Sequence, residues 1–458
     1  RTVHSRIYQF QDALSWTLGR HNMKFGFRYD HQQDNTQTLG NQNGTYTFAP
    51  FATGLSGAAT SGHAFASFLL GAPQTAAMQF GLPYLARSPA LGVFAQDDWK
   101  VTPRLTLNYG LRYEMQYPWY DRDGNNSTFD PNTPNPGAGG RPGAMVFAGS
   151  GQGRLGRARI IDNYWGGWAP RLGMAYRLAS STVLRAGAGV FYAPRRYAPQ
   201  YTQGFSANVS QASLDGGFTP PFYLDAGWPA GVAVRPPFIS PTLGNNQAVR
   251  YVNPDGVRGS GRLGRTYQMQ VNLQHQWAGT LLEAGWISTQ GRFIPNSTLE
   301  NINQVDPRWL PLGDLLRQSI TSAAVAERGF TPPYAGFTGT LAQALRLYPQ
   351  VQQITYEDAP NGNSNYHALT AKIERRFSAG FTMLGAYTWS KLISDVEMVQ
   401  GGVSLLQDHF NRRAERAVAN IDIPHRFVGS FSWELPFGRQ KRWLNQGLAA
   451  AVFGNWAV

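Results

Sequence analysis

Long stretches of the chain alternate between apolar and polar residues with a period of two. Residues 266–277, TYQMQVNLQHQW, show this with almost no error. The apolar positions are Tyr267, Met269, Val271, Leu273 and Trp277, and the amide positions between them are Gln268, Gln270, Asn272, Gln274 and Gln276. Because the side chains of a β-strand point alternately to opposite faces, the segment predicts a strand with one apolar face and one amide-rich face. The apolar face either packs a soluble core or meets lipid in a membrane barrel.

The same alternation recurs along the chain. It recurs in LTLNYGLRYEM (105–115) and in HRFVGSFSWEL (425–435). We predict about thirteen strands, near 5–18, 23–35, 64–71, 74–81, 88–101, 105–117, 168–179, 182–193, 264–277, 281–290, 364–377, 381–393 and 425–436. Strands of soluble sandwiches usually have five or six residues, whereas a tilted strand needs roughly 9–11 residues to cross a bilayer. The longest predicted strands exceed that length, which favours a membrane barrel.

The connections between these strands differ sharply in length. Tight turns are predicted at 19–22, 102–104, 180–181, 278–279 and 378–380, and long Gly/Pro/Asn-rich stretches lie near 118–167, 194–263, 291–363 and 394–424. Short and long connections alternate, so an up-and-down sheet places every short turn at one end. Outer-membrane barrels have this layout, with short periplasmic turns and long external loops. The pattern therefore predicts an all-β, antiparallel transmembrane β-barrel.

A barrel assigns each strand face to lipid or to the lumen. The residues predicted to face lipid are Leu107, Tyr109, Leu111, Tyr113, Val271, Leu273, Phe431 and Trp433. The residues predicted to line the lumen are Arg112, Glu114, Gln268, Gln270, Asn272, Gln274 and Gln276. Aromatic girdles are expected near strand ends, at Tyr117, Trp119, Trp165, Trp168, Phe191, Tyr192, Trp277 and Trp389. The alternative is that these aromatic side chains fill a soluble core.

Composition changes this picture little. The 458 residues are 42% hydrophobic, and no run of 18 uninterrupted apolar residues occurs, so no transmembrane helix is expected. The net charge is +13, and 35 of the 40 basic residues are arginine. These arginines are scattered rather than clustered, so nucleic acid is not an expected partner. Cysteine is absent, which excludes disulfides and thiolate metal sites.

No motif argues for catalysis. The pattern GxGxxG occurs at 151–156 and at 259–264, but neither copy opens a predicted helix, as a dinucleotide site requires. In DRDGNN (121–126), the oxygen-bearing residues Asp121, Asp123 and Asn125 suit calcium, but the motif lacks a distal acid, and we interpret it as a solvated turn. The eight histidines show no metal-binding spacing. We therefore expect a protein that is not an enzyme and binds no cofactor.

Several segments carry a resemblance to a known family. They are FASFLLGAP (65–73), FAQDDWKVTPRLTLNYGLRYE (94–114), APRLGMAYRL (169–178), NYHALTAKIERRFSAGFTMLGAYTWSKLISD (365–395) and DIPHRFVGSFSWELPFG (422–438). In this order they resemble the barrel region of TonB-dependent outer-membrane receptors, most closely the Oar-like branch. The resemblance implies a barrel of about 22 strands that is occluded by an N-terminal plug. It also implies ligand uptake energised through TonB, and a carboxypeptidase-regulatory-like domain upstream.

Residues 1–458 are accordingly expected to be a barrel fragment of such a receptor in the envelope of a Gram-negative cell. Plug, TonB box, signal peptide and last strands are expected to lie outside it. The expected partners are outer-membrane lipid, the TonB complex through the missing N-terminal region, and a ligand such as an oligosaccharide, a peptide or a metal chelate. The alternatives are a passive porin-like channel, a barrel-anchored adhesive or structural protein, and a soluble carbohydrate-binding β-protein.

Overall fold

The computed structural model describes residues 2–37, 42–56, 58, 60–193, 203–232, 234–251, 262–296, 300–356, 359–378, 380–396, 407–439, 441–454 and 456–458. Most of the regular structure in these residues is β-strand. The strands are β1 (Thr2–Leu18), β2 (His21–Gln37), β3 (Thr45–Thr47), β4 (Thr75–Gly81), β5 (Tyr84–Thr102), β6 (Leu105–Gln116), β7 (Tyr120–Asp121), β8 (Ser127–Asn135), β9 (Arg141–Phe147), β10 (Trp168–Ala179), β11 (Thr182–Tyr192), β12 (Ser206–Ala212), β13 (Ala248–Tyr251), β14 (Arg265–Trp277), β15 (Thr280–Asn296), β16 (Glu300–Asn301), β17 (Gln353–Tyr356), β18 (Ala359–Ser378), β19 (Phe381–Ser394), β20 (Ala417–Val418) and β21 (His425–Trp433).

The helices are few and short. The α-helices are α1 (Ala64–Leu69), α2 (Ala323–Ala326), α3 (Leu341–Ala344) and α4 (Gly447–Phe453), and 3-10 turns span Pro50–Thr53, Pro136–Ala138, Pro307–Arg317 and Arg412–Glu415. Within the described residues, none of these helices has the length and apolar character needed to cross a membrane.

One antiparallel sheet dominates the fold. Eleven long strands follow one another in the order β1-β2-β5-β6-β10-β11-β14-β15-β18-β19-β21, and the short strands β7 and β20 pair with β5 and β19. The sheet therefore contains thirteen strands. Strands β1 and β21 stand at its two edges and are not paired with each other in the described part of the chain. The predicted all-β, antiparallel, up-and-down arrangement is confirmed.

Connection length alternates along this sheet. Two-residue turns join β1 to β2, β5 to β6, β10 to β11, and β14 to β15. At the turn after β14, Ala278 and Gly279 both have positive φ, 46° and 77°, which suits a hairpin of right-twisted strands. Long connections span 38–83, 117–167, 193–264, 297–358 and 395–424. Because neighbouring strands are antiparallel, the short turns share one end of the sheet, the turn end, and the long connections share the other, the loop end.

Two of the predicted strands are corrected. The segment 64–71 forms helix α1 instead of a strand, and the side chain of His63 caps it by accepting a hydrogen bond from the Phe65 N–H. The segment 74–81 is strand β4, but it pairs with β3 and β12 in a small separate sheet. A short apolar run does not by itself distinguish a helix from a strand. Residues 38–83 are therefore a fifth long connection. At the end of the chain, Val458 and Trp433 exchange backbone hydrogen bonds.

Four of the long connections fold together over the loop end. A shared hydrophobic core contains Phe129, Met145, Phe147, Phe205, Val249, Tyr251, Val351, Ile354, Tyr356 and Ala359, with Leu82 packed against it. These residues come from connections that are far apart in sequence. Strand β13 of one connection pairs in parallel with β17 of another, which ties the two together. We call this assembly the loop layer; it replaces the irregular loops that the composition suggested.

Candidate functional site

The main sheet has two chemically different faces. Directly opposite residues on neighbouring strands share a face, and the register can be followed from strand to strand. It aligns Leu107 with Met174, and Val271 with Trp286. All the predicted lipid-facing residues lie on this apolar face: Leu107, Tyr109, Leu111, Tyr113, Val271, Leu273, Phe431 and Trp433.

The residues predicted to line a lumen all lie on the opposite face, which we call the amide face. They are Arg112, Glu114, Gln268, Gln270, Asn272, Gln274 and Gln276. The structure thus separates the two predicted sets onto opposite faces of one sheet. The assignment of the amide face to a lumen and of the apolar face to lipid stays a prediction.

Several of the amide-face residues are engaged with each other. Asn272 and Gln274 both donate to the carboxylate of Glu283, with N···O distances of 2.6 and 2.9 Å. Arg112 donates from Nε to Glu114 Oε1 at 2.5 Å. Glu283 was not among the predicted site residues, although it is the lone acid of an otherwise apolar strand segment. These pairs show that part of the predicted set forms a fixed polar wall.

Gln268 and Gln270 instead line an open groove nearer the loop end. The groove has a volume of about 450 Å³ and crosses β10, β11, β14 and β15, with Arg171, Phe191, Ile287 and Thr289 among its other lining residues. Phe191 was expected in an aromatic girdle at the lipid face. Its register position, opposite Thr266, places it on the amide face. Alternation in β11 could not assign Phe191 to a face, because Val190, Phe191 and Tyr192 are all apolar.

Two glycines on the amide face, Gly26 and Gly92, lie under crowded side chains. A methyl group added to Gly26 would lie 2.7 Å from the Phe94 ring, and one added to Gly92 would lie 2.5 Å from the Arg112 guanidinium. On the apolar face, a methyl group added to Gly385 would have its nearest neighbour at 3.1 Å. The crowding does not extend over the whole face, because a methyl group added to Gly187 on the same face would have its nearest neighbour at 3.6 Å.

A polar cluster lies on the apolar face near the turn end. Tyr109 donates from its hydroxyl to Asp97 Oδ2 at 2.8 Å, and His21 Nδ1 lies 2.6 Å from the same oxygen. The His21 ring also stacks on Trp99 with a centroid separation of 5.3 Å. Tyr109 therefore combines its predicted apolar position with a hydrogen bond. Aromatic side chains with a polar tip are typical of the membrane interface.

The loop layer contains a buried ionic cluster, which we call the Glu300 cluster. Glu300 is 2% exposed, and its carboxylate lies 2.6 Å from His409 Nδ1, 2.8 Å from Arg412 Nη1 and 3.0 Å from Asn361 Nδ2. Burial raises the pKa of Glu300, but the hydrogen bonds from His409 and Asn361 and the charge of Arg412 outweigh it, so the pKa lies below its ordinary value. The cluster joins the connection 297–358 to the connection 395–424.

The turn at 121–126 has a structural role. Asp121 is fully buried, and its carboxylate accepts hydrogen bonds from the backbone N–H groups of Leu85, Asp123 and Asn125. The interpretation as a solvated turn is therefore wrong for Asp121 and right for the exposed Asp123, which pairs with Arg122. These hydrogen bonds give the Asp121 carboxylate a structural role at the centre of the turn.

We expect Asp121→Ala to lower the free energy of unfolding by about 2 kcal/mol, because it leaves buried N–H donors without an acceptor. Asp123→Ala is the matched control and should change stability by less than about 1 kcal/mol, since it removes only an exposed ion pair. Thermal unfolding in detergent measures both. Calcium at millimolar concentration should not raise the midpoint; a clear rise that depends on Asp121 would contradict the structural role.

The remaining motifs supply no site. In the described residues, no group of three or more histidine, aspartate or glutamate side chains could hold a metal ion. The first GxGxxG lies in a loop, where Gly151, Gly153 and Gly156 all have positive φ. Gly259 and Gly261 of the second copy lie outside the described residues.

Several solved structures align with most of the chain. Solved structures that align with the chain include the alcaligin outer-membrane receptor FauA from Bordetella pertussis (10% identity, TM-score 0.37, 95% of this chain and 44% of that chain). They also include the iron transporter FrpB from Neisseria meningitidis (11%, 0.40, 94% and 41%) and the ferric citrate transporter FecA (10%, 0.37, 94% and 40%). The chain thus spans less than half the length of these proteins. No curated protein matches its sequence.

A family comparison is more direct. The family described as outer membrane beta barrel domain matches residues 1–458, the whole of the chain. The sheet agrees with it: long antiparallel strands, short turns at one end and long connections at the other. The predicted barrel class and the predicted location in the outer membrane are both confirmed, and the chain belongs to the outer membrane β-barrel domain family.

Proposed function

We propose that the chain forms part of the barrel wall of a TonB-dependent receptor that captures a ligand outside the cell and takes it up across the outer membrane. The observation that carries the proposal is the loop layer above an amide-lined sheet. Four connections share one buried core over the loop end, which gives a folded external platform for capture. The receptor-like segments 94–114 and 365–395 form β5, β6, β18 and β19 of the same sheet.

The proposal assigns the amide face to the lumen and the apolar face to lipid. Two observations support this assignment. The ion pair of Arg112 with Glu114 lies on the amide face. On the apolar face, large side chains are exposed, with Leu172 66% and Phe431 61% accessible. Large exposed apolar side chains on one face mark a surface that contacts a membrane or another protein.

The proposed partners follow from this arrangement. Outer-membrane lipid contacts the apolar face, the TonB complex acts through a region N-terminal to this chain, and the ligand is an oligosaccharide, a peptide or a metal chelate. The lumen amides serve binding rather than catalysis, because neutral amides both donate and accept hydrogen bonds without holding a ligand in a deep electrostatic trap. The proposal includes no enzymatic step and no cofactor.

The test compares three strains: wild type, a deletion of the gene and a TonB-deficient strain. Each is grown with a defined mixture of oligosaccharides, peptides and ferric chelates, and mass spectrometry follows depletion of the medium. We expect at least one compound to be depleted only when both the gene and TonB are present. Depletion that needs the gene but not TonB would indicate a passive channel instead. Unchanged depletion in all three strains would favour an adhesive or structural role.

A further inference from the structure

The groove on the amide face is built from two rows of residues across four strands. One row runs Arg171, Gly189, Gln268 and Thr289, and the row beneath it runs Gly173, Gly187, Gln270 and Ile287. Both rows lie toward the loop end of the sheet. The volume of about 450 Å³ falls within the usual range of small-molecule sites.

Glycines form the floor of this groove. A methyl group added to Gly187 would meet only ordinary contacts, the nearest at 3.6 Å, so this position can take a side chain without displacing its neighbours. A methyl group added to Gly189 would lie 3.1 Å from the Phe191 ring and 3.4 Å from Arg171 Cγ. The ring and the arginine therefore lean over Gly189. The groove is deep because its floor is formed by glycines, which have no side chain, and its sides by the long side chains of Arg171 and Phe191.

The groove carries positive charge. The Arg171 guanidinium stacks on Phe191 with its carbon 4.6 Å from the ring centroid. It is exposed and, among the described residues, makes no ion pair, unlike Arg28 with Asp30 and Arg112 with Glu114 on the same face. No carboxylate lines the groove. The groove therefore offers one guanidinium fixed by its ring contact, two primary amides, one hydroxyl and an apolar edge. These groups come from Arg171, Gln268, Gln270, Thr289, Phe191 and Ile287.

We propose that this groove binds a carboxylate-bearing carbohydrate, that is, an acidic oligosaccharide. A guanidinium binds a carboxylate through two parallel hydrogen bonds. Gln268, Gln270 and Thr289 can each donate to and accept from sugar hydroxyls, while Phe191 and Ile287 offer apolar contact to the C–H edges of a sugar ring. The proposal narrows the ligand class of the proposed receptor, and it rests on the amide face being the lumen.

The test uses the full-length protein that contains this chain, in detergent, with trigalacturonic acid as the probe and maltotriose as the uncharged control. Isothermal titration calorimetry should show binding of the acidic probe and weaker binding of maltotriose. Arg171→Gln should weaken binding of the acidic probe by at least about tenfold, the scale of a charged hydrogen-bonded pair. Arg28→Gln, on the same face but outside the groove, should leave it unchanged.

A second variant guards against misfolding. Gly187→Leu fills the open floor and should abolish binding, while the heat-dependent shift of the protein on electrophoresis stays as in wild type. Equal affinity for maltotriose, or full binding by Arg171→Gln, would overturn the proposal. An uptake measurement distinguishes the proposed binding site from the proposed function. If Arg171→Gln leaves TonB-dependent uptake intact, only the proposal that the groove binds the ligand is overturned. Binding in detergent without TonB-dependent uptake supports the groove and overturns only transport.

Discussion

Leu273→Arg is expected to lower the stability of the folded barrel by about 2–4 kcal/mol, the cost of a charged side chain on the lipid face of a barrel. Leu273 lies on the apolar face, 42% exposed, opposite Leu184 and Ala284 on the neighbouring strands. The measurement is the denaturant midpoint of the full-length protein refolded into lipid vesicles.

The neighbouring substitution Gln274→Arg is the matched control. Gln274 lies on the amide face and donates to Glu283 at 2.9 Å. An arginine at this position can keep a bond to the same carboxylate, so we expect a change of less than about 1 kcal/mol. The pair of variants differs by one position in one strand, and only the face changes.

Leu273→Arg would be destabilising both in contact with lipid and in a soluble core, so stability alone does not distinguish the two environments. Thiol labelling does. The chain has no cysteine, so single cysteines can be introduced cleanly. Gln274→Cys should react with a small water-soluble reagent, and Leu273→Cys should be shielded and quenched by a probe carried in the lipid. Equal reactivity at the two positions, or quenching at 274, would reverse the assignment of the faces.

Glu300→Ala should loosen the loop layer by roughly 3 kcal/mol. Removing one partner of a buried ion pair costs about 3–5 kcal/mol, and the lower end applies because Arg412 and His409 keep partial access to water. Hydrogen exchange should therefore quicken in the residues around Arg412. Glu327→Ala, an exposed acid in the same connection, is the control and should leave exchange unchanged.

The Glu300 cluster also predicts a dependence on pH. A carboxylate whose pKa is lowered by folding adds stability above its ordinary pKa of 4.5, and this stability is lost as the pH falls through the lowered value. Protection of the segment around Arg412 should fall when the pH drops below about 4.5. Glu300→Gln should remove this acid-dependent step. A variant that retains the full step would show that another group controls it.

The sheet was predictable because period-two alternation survives wherever one face is apolar. Strands such as β6 and β14 carry that signal over more than ten residues. The segment 64–71 was wrongly predicted as a strand because its run of small and apolar residues has no clear period. The helix begins instead where the His63 side chain accepts a hydrogen bond from the Phe65 N–H. The core of the loop layer was not predictable, since Phe129, Val249 and Ile354 meet only through tertiary folding.

The same limit applies to the candidate site. Alternation grouped Gln268 and Gln270 on one face, because that information lies within a single strand. The convergence of Arg171, Gly189, Gln268 and Thr289 depends on the register between four strands. Of the three segments that connect these strands, one is long and two are tight turns. Phe191 was misplaced because three consecutive apolar residues end β11. Chemistry that spans strands was therefore visible only in the structure.

The parallel pairing of β13 with β17 has a consequence for how the protein diversifies. Surface loops normally tolerate insertions independently. These two connections share a β-ladder and a hydrophobic core, so an insertion or deletion in one connection would distort the other. Sequence variation would accumulate at exposed tips instead. Leu214, fully exposed in a turn that Asp215 holds through Ser213 and Thr219, is such a position. The loop layer would then evolve as an antibody does, with variable tips on a constant framework.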